Sequence, residues 1–409
     1  MQAEIIAAGS EMLTPERVDT NSLWLTQRLN DLGVEVTQKS IIGDDRDRLA
    51  DAVRAAIDRS PIIVLTGGLG PTEDDVTREA VAQALMRRLL YSDELMTALE
   101  ARFARMSRKM SANNRRQAFL IEGARILPNP NGTAAGQWID LPGRVVMLLP
   151  GPPRELEPMF TSHCTPLLAE MLPERSLCTR VYRVAGMPES ELDQLIAPVY
   201  MEYSNPATTI LAKAGDIQIH LRASGESAAE AQALADEVGS KIQALLGDRI
   251  YSEDGAPLEV ALGRLLKRRG ATLAVAESCT GGLLGGRITD APGASEWFLG
   301  GFQVYGKTMK TRLLGLNESI VNEHGVVSEA VACAMADSAR DRTGATYALS
   351  VTGEAGPESA SPGIEPGTVW IGLATPEGVS ARQFHILGDR VRVRSFAVQT
   401  ALNLLRLSL

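Results

Sequence analysis

Ile62-Ile63-Val64-Leu65-Thr66-Gly67-Gly68-Leu69-Gly70-Pro71-Thr72-Glu73-Asp74-Asp75 decides the architecture of the first part of this 409-residue chain. A short apolar run stopped by glycines reads as a buried strand, and the polar turn after it leads into a helix beginning near Val76. Moving back toward the N-terminus, the pattern gives a helix over 46–59, a strand over 34–42, a helix over 21–32 and a strand over 4–8. This βαβαβ rhythm implies a parallel sheet flanked by helices, with ligands at the C-terminal ends of the strands. Moving forward, 144–149 reads as a later strand, ended by Gly151-Pro152-Pro153 before another helix.

The glycines of this stretch let the backbone approach a phosphate closely. Carboxylates just beyond them suit a divalent cation, because hard cations prefer oxygen ligands. Glu11, the Asp19-Thr20-Asn21 turn and Asp44-Asp45 also fall at predicted strand ends. Each acid taken singly reads equally well as an N-cap or a solvated loop residue.

The composition changes at 171–176, where Pro173 interrupts a helix, so the first domain is placed at 1–170. Residues 171–251 read as a small α+β module: a strand, a helix, strands over 208–213 and 217–223, and a long helix with Ala231, Leu234, Val238, Ile242 and Leu245 on one face. That module has no paired carboxylates, no His/Ser pairing and no glycine-rich loop, and is assigned a spacer or docking role. Ser252-Glu253-Asp254-Gly255 is a turn-rich linker, and Pro257 suits the first turn of a helix opening a third domain over 256–409. The expected fold class is therefore α/β, with two three-layer α/β/α domains separated by the small module.

In the third domain Ala276-Glu277-Ser278-Cys279-Thr280-Gly281-Gly282 follows a predicted strand and opens a helix running toward Ile288. Such a turn exposes hydroxyls at the sheet edge, and the unpaired N–H groups of a helix start favour an oxyanion or a phosphate. A Ser or Thr there is equally a plain N-cap. Tyr305 and Lys310 follow the strand predicted over 298–304, whose end should lie beside the first. A serine hydroxyl is inert without a base. A desolvated lysine can serve as that base, with a tyrosine hydroxyl relaying the proton. Cys279 and Thr280 remain alternative nucleophiles, although a buried structural role suits Cys279 better.

These residues, together with the stretch 301–316, Gly325-Val326-Val327-Ser328-Glu329 and Thr352-Gly353-Glu354-Ala355-Gly356-Pro357, resemble the C-terminal domain of the CinA family over about 257–407. The resemblance implies a nicotinamide mononucleotide deamidase. In it Ser278 is the nucleophile, Lys310 its base, Tyr305 their partner, and Arg390 the contact to an anionic ligand, with Arg394 as the rival. Thr280, Gly281, Gly282, Thr352 and Gly353 complete the implied substrate site. Glu354 and Glu365 depart from the family pattern by adding negative charge where a mononucleotide phosphate would be bound.

Residues 1–165 resemble the molybdopterin-binding-like domain at the CinA N-terminus, including Asn114, Gln117, Asn129-Pro130-Asn131-Gly132-Thr133-Ala134 and Leu149-Pro150-Gly151-Pro152-Pro153-Arg154-Glu155. This likeness implies metal-dependent hydrolysis of ADP-ribose to AMP and ribose 5-phosphate. Asp44, Asp75 and Glu11 would be the ligands of a divalent ion of the Mg, Mn or Co type, and Gly67, Gly68, Gly70, Thr72 and Asn21 would contact substrate. Ser10 departs from the Asp or Thr usual before the glutamate. The alternative is a non-catalytic pterin- or nucleotide-binding module. The middle module resembles the family's KH-type domain without the Gly-x-x-Gly loop that clamps nucleic acid. A homodimer is also implied by resemblance.

Composition narrows the partners. The chain is 44% hydrophobic and 22% charged with a net charge of −9, a field that repels a phosphate backbone, so no nucleic acid partner is expected. No run has the apolar length of a membrane span, and the N-terminus lacks the basic flank of a signal peptide. Four cysteines without CxxC or Cys/His spacing argue against a zinc site or disulfide framework and fit a reducing cytoplasm. The expected partners are small nucleotides.

Overall fold

The computed structural model describes residues 1–172, 176–213, 215–359, 361 and 363–409. Pro173, where the composition predicts a boundary, lies outside the described residues. The chain forms two compact units, one of Met1–Leu177 with Gly225–Ala228, the other of Cys178–Ser224 with Ala229–Leu409. Among the described residues no helix is long and apolar enough to cross a membrane.

The strands of the first unit are β1 (Gln2–Ala8), β2 (Glu35–Ile42), β3 (Ile62–Thr66), β4 (Leu89–Tyr91), β5 (Phe119–Ile121), β6 (Ala124–Leu127), β7 (Gly136–Leu141) and β8 (Arg144–Leu149). Six of them form one sheet in the order β2-β1-β3-β8-β7-β6, and β4 pairs with β5. The pairs β1–β2, β1–β3 and β3–β8 are parallel, while β6–β7 and β7–β8 are antiparallel. The parallel half follows from the crossover helices Thr20–Asp31 and Arg46–Arg59, but the sheet is mixed rather than wholly parallel. Its far edge is a meander in which β7 and β8 join through a tight turn. All five residues of β3 are buried. One core layer packs Leu49, Val53 and Val81 against one face, and another packs Leu25, Leu29 and Phe160 against the opposite one.

The second unit holds two sheets. Its strands are β9 (Ser176–Ala185), β10 (Ala207–Lys213), β11 (Asp216–Gly225), β12 (Ile250–Ser252), β13 (Leu273–Glu277), β14 (Phe298–Gln303), β15 (Tyr347–Gly353), β16 (Thr368–Thr375) and β17 (Gly378–His385). The smaller sheet has the order β10-β11-β9-β12 and is covered by the helix Ala228–Leu246, whose Ala231, Val238 and Ile242 are buried. That helix buries Leu246 rather than the expected Leu245, which is 42% exposed.

The larger sheet has the order β14-β13-β15-β16-β17. Parallel pairing of β13 with both β14 and β15 puts three strand ends side by side, while β15–β16 and β16–β17 are antiparallel. Helices Leu258–Arg268 and Arg390–Ser408 share one core with the sheet, and Glu329–Thr343 packs in a second core with Ala274, Ala276 and Ala348. Ser328 caps the last of these helices by accepting the Val331 amide.

Candidate active site

β13 ends at Glu277, and Ser278 is the first residue beyond it, its amide donating to the Val351 carbonyl at 2.9 Å. Parallel pairing sets the end of β14 next to that of β13, with Glu277 opposite Gln303, and the Val304 amide donates to the Glu277 carbonyl at 2.8 Å. The chain then turns into the helix Lys307–Arg312, which carries Lys310 inward to 1% exposure. Its Nζ lies 2.9 Å from the Ser278 hydroxyl and donates to the Val304 carbonyl, also at 2.9 Å.

No carboxylate is ion-paired with Lys310 among the described residues, and burial lowers its ammonium from the ordinary 10.5 to about 8. A neutral amine keeps one N–H on Val304 and turns its lone pair to the serine, the arrangement a general base requires. The Cys279 thiol is 5% exposed and burial pushes it up to about 12. It therefore stays protonated at neutral pH, when a nucleophilic cysteine would have to be a thiolate.

The helix that the stretch 276–282 is expected to open begins at Leu283, after Gly282 at φ 94°. A side chain at Gly282 would overlap the Gln303 amide nitrogen. The helix-start amides are not available to an anion either. Glu277, 2% exposed, accepts from Gly282 and Leu284 at 3.0 Å each and from Gly285 at 2.8 Å. Thr280 is fully buried and its hydroxyl has no hydrogen-bond partner among the described residues.

Tyr305 is 63% exposed. Its hydroxyl accepts from the Arg390 guanidinium at 3.0 Å and makes no hydrogen bond to Ser278 or Lys310 among the described residues. Arg390 also donates to the Gly356 carbonyl at 3.0 Å. Arg394, a turn further along the same helix, donates to the Cys279 carbonyl at 3.1 Å and the Thr280 carbonyl at 2.7 Å. Arg390 thus ties Tyr305 to the Gly356 loop, while Arg394 braces the serine loop. Thr352 donates to the Val326 carbonyl at 2.7 Å, and Gly353 sits in the β15–β16 ladder opposite Val369, so these two shape the strand end. The Glu354 carboxylate accepts from the Ser361 hydroxyl, and the Glu354 backbone amide donates to the Thr368 carbonyl at 2.9 Å.

In the first unit the glycine-rich loop borders a cavity of about 590 Å³, lined among others by Glu11, Asn21, Gly67, Gly68, Gly70 and Asp75. Gly67 and Gly68 have φ 93° and 65°, and side chains there would overlap the Ala8 carbonyl oxygen and the Thr77 hydroxyl. Asn21 donates to the Thr66 hydroxyl at 3.0 Å and the Gly151 carbonyl at 2.7 Å, tying the first helix to both neighbouring loops. Thr72 gives its amide and hydroxyl to Asp75, at 2.8 and 2.6 Å. Below the loop Arg78, 2% exposed, donates to the carbonyls of Leu69 and Gly70 at 2.8 and 2.9 Å. The buried Asn114 and Gln117 bond each other at 3.1 Å, and Asn129 reaches Glu155 at 2.8 Å.

The three expected metal ligands do not come together. Asp44 exchanges hydrogen bonds with Ser10, at 2.8 and 2.9 Å, and is absent from the cavity lining. No group of three acidic, His or Cys side chains among the described residues is placed to hold a metal ion. Among the described residues Glu11 and Asp75 border the cavity while Asp44, bonded to Ser10, does not line it, so the cage of Glu11, Asp44 and Asp75 that the resemblance implies is not formed.

Sequence reasoning missed Glu277, Val304 and Arg78. Glu277 ends an apolar run, a pattern that signals a buried charge but not its partner, whereas Arg78 sits between Thr77 and Glu79 and carries no such signal.

Comparison with known proteins matches the CinA C-terminal domain over residues 255–409, the probable molybdopterin binding domain over 4–170 and the damage-inducible protein CinA KH domain over 179–252. A CinA-like protein of Solibacter usitatus is 58% identical, covering 99% of this chain and 98% of its own. Another, from Acidobacterium capsulatum, is 47% identical over 99% of each. Among solved structures, a CinA superfamily protein of Escherichia coli is 32% identical, with TM-score 0.36, covering 37% of this chain and 88% of its own.

Proposed function

The chain belongs to the CinA family, and from that premise we propose that its second unit hydrolyses the amide of nicotinamide mononucleotide to nicotinate mononucleotide and ammonia. The observation that carries the reading is the buried pair of Ser278 and Lys310, 2.9 Å apart. Lys310, with its proton affinity lowered, takes the Ser278 proton as Oγ bonds to the amide carbon. The carbon–nitrogen bond then breaks, ammonia leaves with the proton returned from Lys310, and the acyl group stays on Ser278 as an ester. Water, deprotonated by the same amine, attacks the ester, releasing the carboxylate and restoring the serine. Arg390, exposed and bonded to Tyr305 and the Gly356 carbonyl, is the residue assigned to the mononucleotide phosphate. Ammonia release by the wild-type chain and by Ser278→Ala, with circular dichroism on both, tests this. Turnover by a folded Ser278→Ala protein at the wild-type rate contradicts it.

For the first unit, the cavity at the glycine loop supports a nucleotide ligand, and the family resemblance suggests ADP-ribose, hydrolysed to AMP and ribose 5-phosphate. The three-carboxylate cage implied for a metal does not form among the described residues. AMP release measured with and without added magnesium, manganese or cobalt separates hydrolysis from binding alone. Binding without turnover under every metal favours a non-catalytic nucleotide module.

A further inference from the structure

Glu277 is a carboxylate buried between the end of β13 and the helix Leu283–Thr289, next in sequence to Ser278. One oxygen accepts the amides of Gly282 and Leu284, the other that of Gly285. The start of a helix leaves such amides without partners, and here a side chain from before the turn takes them. The bonds close a ring whose interior is Ser278–Gly281. Arg394 holds the same ring by its carbonyls, donating to Cys279 and Thr280. An acceptor thus grips the N–H groups and a donor grips the C=O groups of a single short loop.

We propose that Glu277 is a positioning residue for Ser278, with Arg394 as its counterpart: together they fix the loop so that the serine hydroxyl stays within hydrogen-bond reach of Lys310. This rests on Ser278 being the nucleophile. Glutamine at 277 has the same shape but only one acceptor, and its NH₂ would face a backbone N–H, so at least one of the three bonds is replaced by a donor–donor clash. A displacement of about 1 Å at a reacting atom costs up to about a hundredfold in rate.

The test is labelling of the full-length protein by phenylmethanesulfonyl fluoride, followed by intact mass and peptide mapping between pH 6 and 9. In that reaction the Ser278 oxygen bonds to sulfur, fluoride leaves, and Lys310 takes the proton. Wild type should be labelled on Ser278 with an inflection near 8, and Ser278→Ala should not be labelled. Glu277→Gln and Arg394→Met should react about ten- to a hundredfold more slowly, with the inflection unmoved, since the base is intact. A residue that serves only overall stability would leave the rate of folded protein unchanged. Labelling of folded Glu277→Gln at the wild-type rate overturns the positioning role while Ser278 stands. A wild type that resists labelling, or takes it elsewhere, overturns both. Should Glu277→Gln not fold, the same comparison is read from Arg394→Met, which lies on a partly exposed helix face.

Discussion

The deamidation rate should follow the titration of Lys310. Burial brings its ammonium from 10.5 to about 8, a loss of preference for the charged form of about 3 kcal/mol. At pH 7.5 about a quarter of the molecules then carry the neutral amine, against about one in a thousand for an ordinary lysine. Burial thus raises the supply of base by about two hundredfold. The assay is kcat/KM for ammonia release from nicotinamide mononucleotide between pH 6 and 10. The rate should climb about tenfold per pH unit and level off above 8. Lys310→Arg places a guanidinium that does not lose its proton, so the inflection should vanish and the rate fall about a hundred- to ten-thousandfold. A flat profile, an inflection near 10.5, or an unchanged profile in Lys310→Arg would rule out Lys310 as the base.

Stability should report the same group. Folded Lys310 releases its proton at about 8 and the unfolded one near 10.5, so the unfolded chain binds more protons between those values and stability rises with pH through the window. The stability gained by Lys310→Met over wild type should therefore shrink by about 3 kcal/mol from pH 7 to 10.5 in urea unfolding, and a constant gap contradicts this. Tyr305→Phe removes a hydroxyl bonded to Arg390, so it should raise KM and leave the inflection near 8 in place, as the pH–rate profile checks. Gly67→Ala forces a side chain against the Ala8 carbonyl at φ 93°. It should destabilise the first unit by about 1–3 kcal/mol, read as a lowered thermal transition. Asp75→Asn changes the cavity wall and should depress AMP release from ADP-ribose by more than Asp44→Asn, whose carboxylate bonds the Ser10 amide and does not line the cavity.

Much of this was legible because hydrophobic periodicity acts locally. Arg46–Arg59, Ile62–Thr66 and Arg144–Leu149 begin and end where their apolar spacing and flanking glycines or prolines place them. The strand β17 was not legible: it is an edge strand, largely exposed, and so lacks the alternation that burial imposes. The antiparallel half of the first sheet was missed because β6 has only four residues and β7 buries the polar Gln137 among its apolar ones, so neither shows a clean apolar run. In the site, Ser278 and Lys310 stand out as residue types, and their spacing across a strand end makes the meeting readable. That Tyr305 turns to Arg390 instead depends on a helix that begins 85 residues later. Glu277 was hidden for a different reason: its role lies in backbone amides, which carry no sequence signal.

The most direct measurement is rapid quenching of the wild-type chain during turnover of nicotinamide mononucleotide at pH 8, followed by peptide mass mapping. Catalysis through Ser278 should leave a nicotinoyl-mononucleotide ester on the peptide that contains it, lost on further incubation and absent from Lys310→Arg. Ammonia released in a single turnover with no adduct on that peptide, or with the adduct on Cys279 or Thr280, would contradict it.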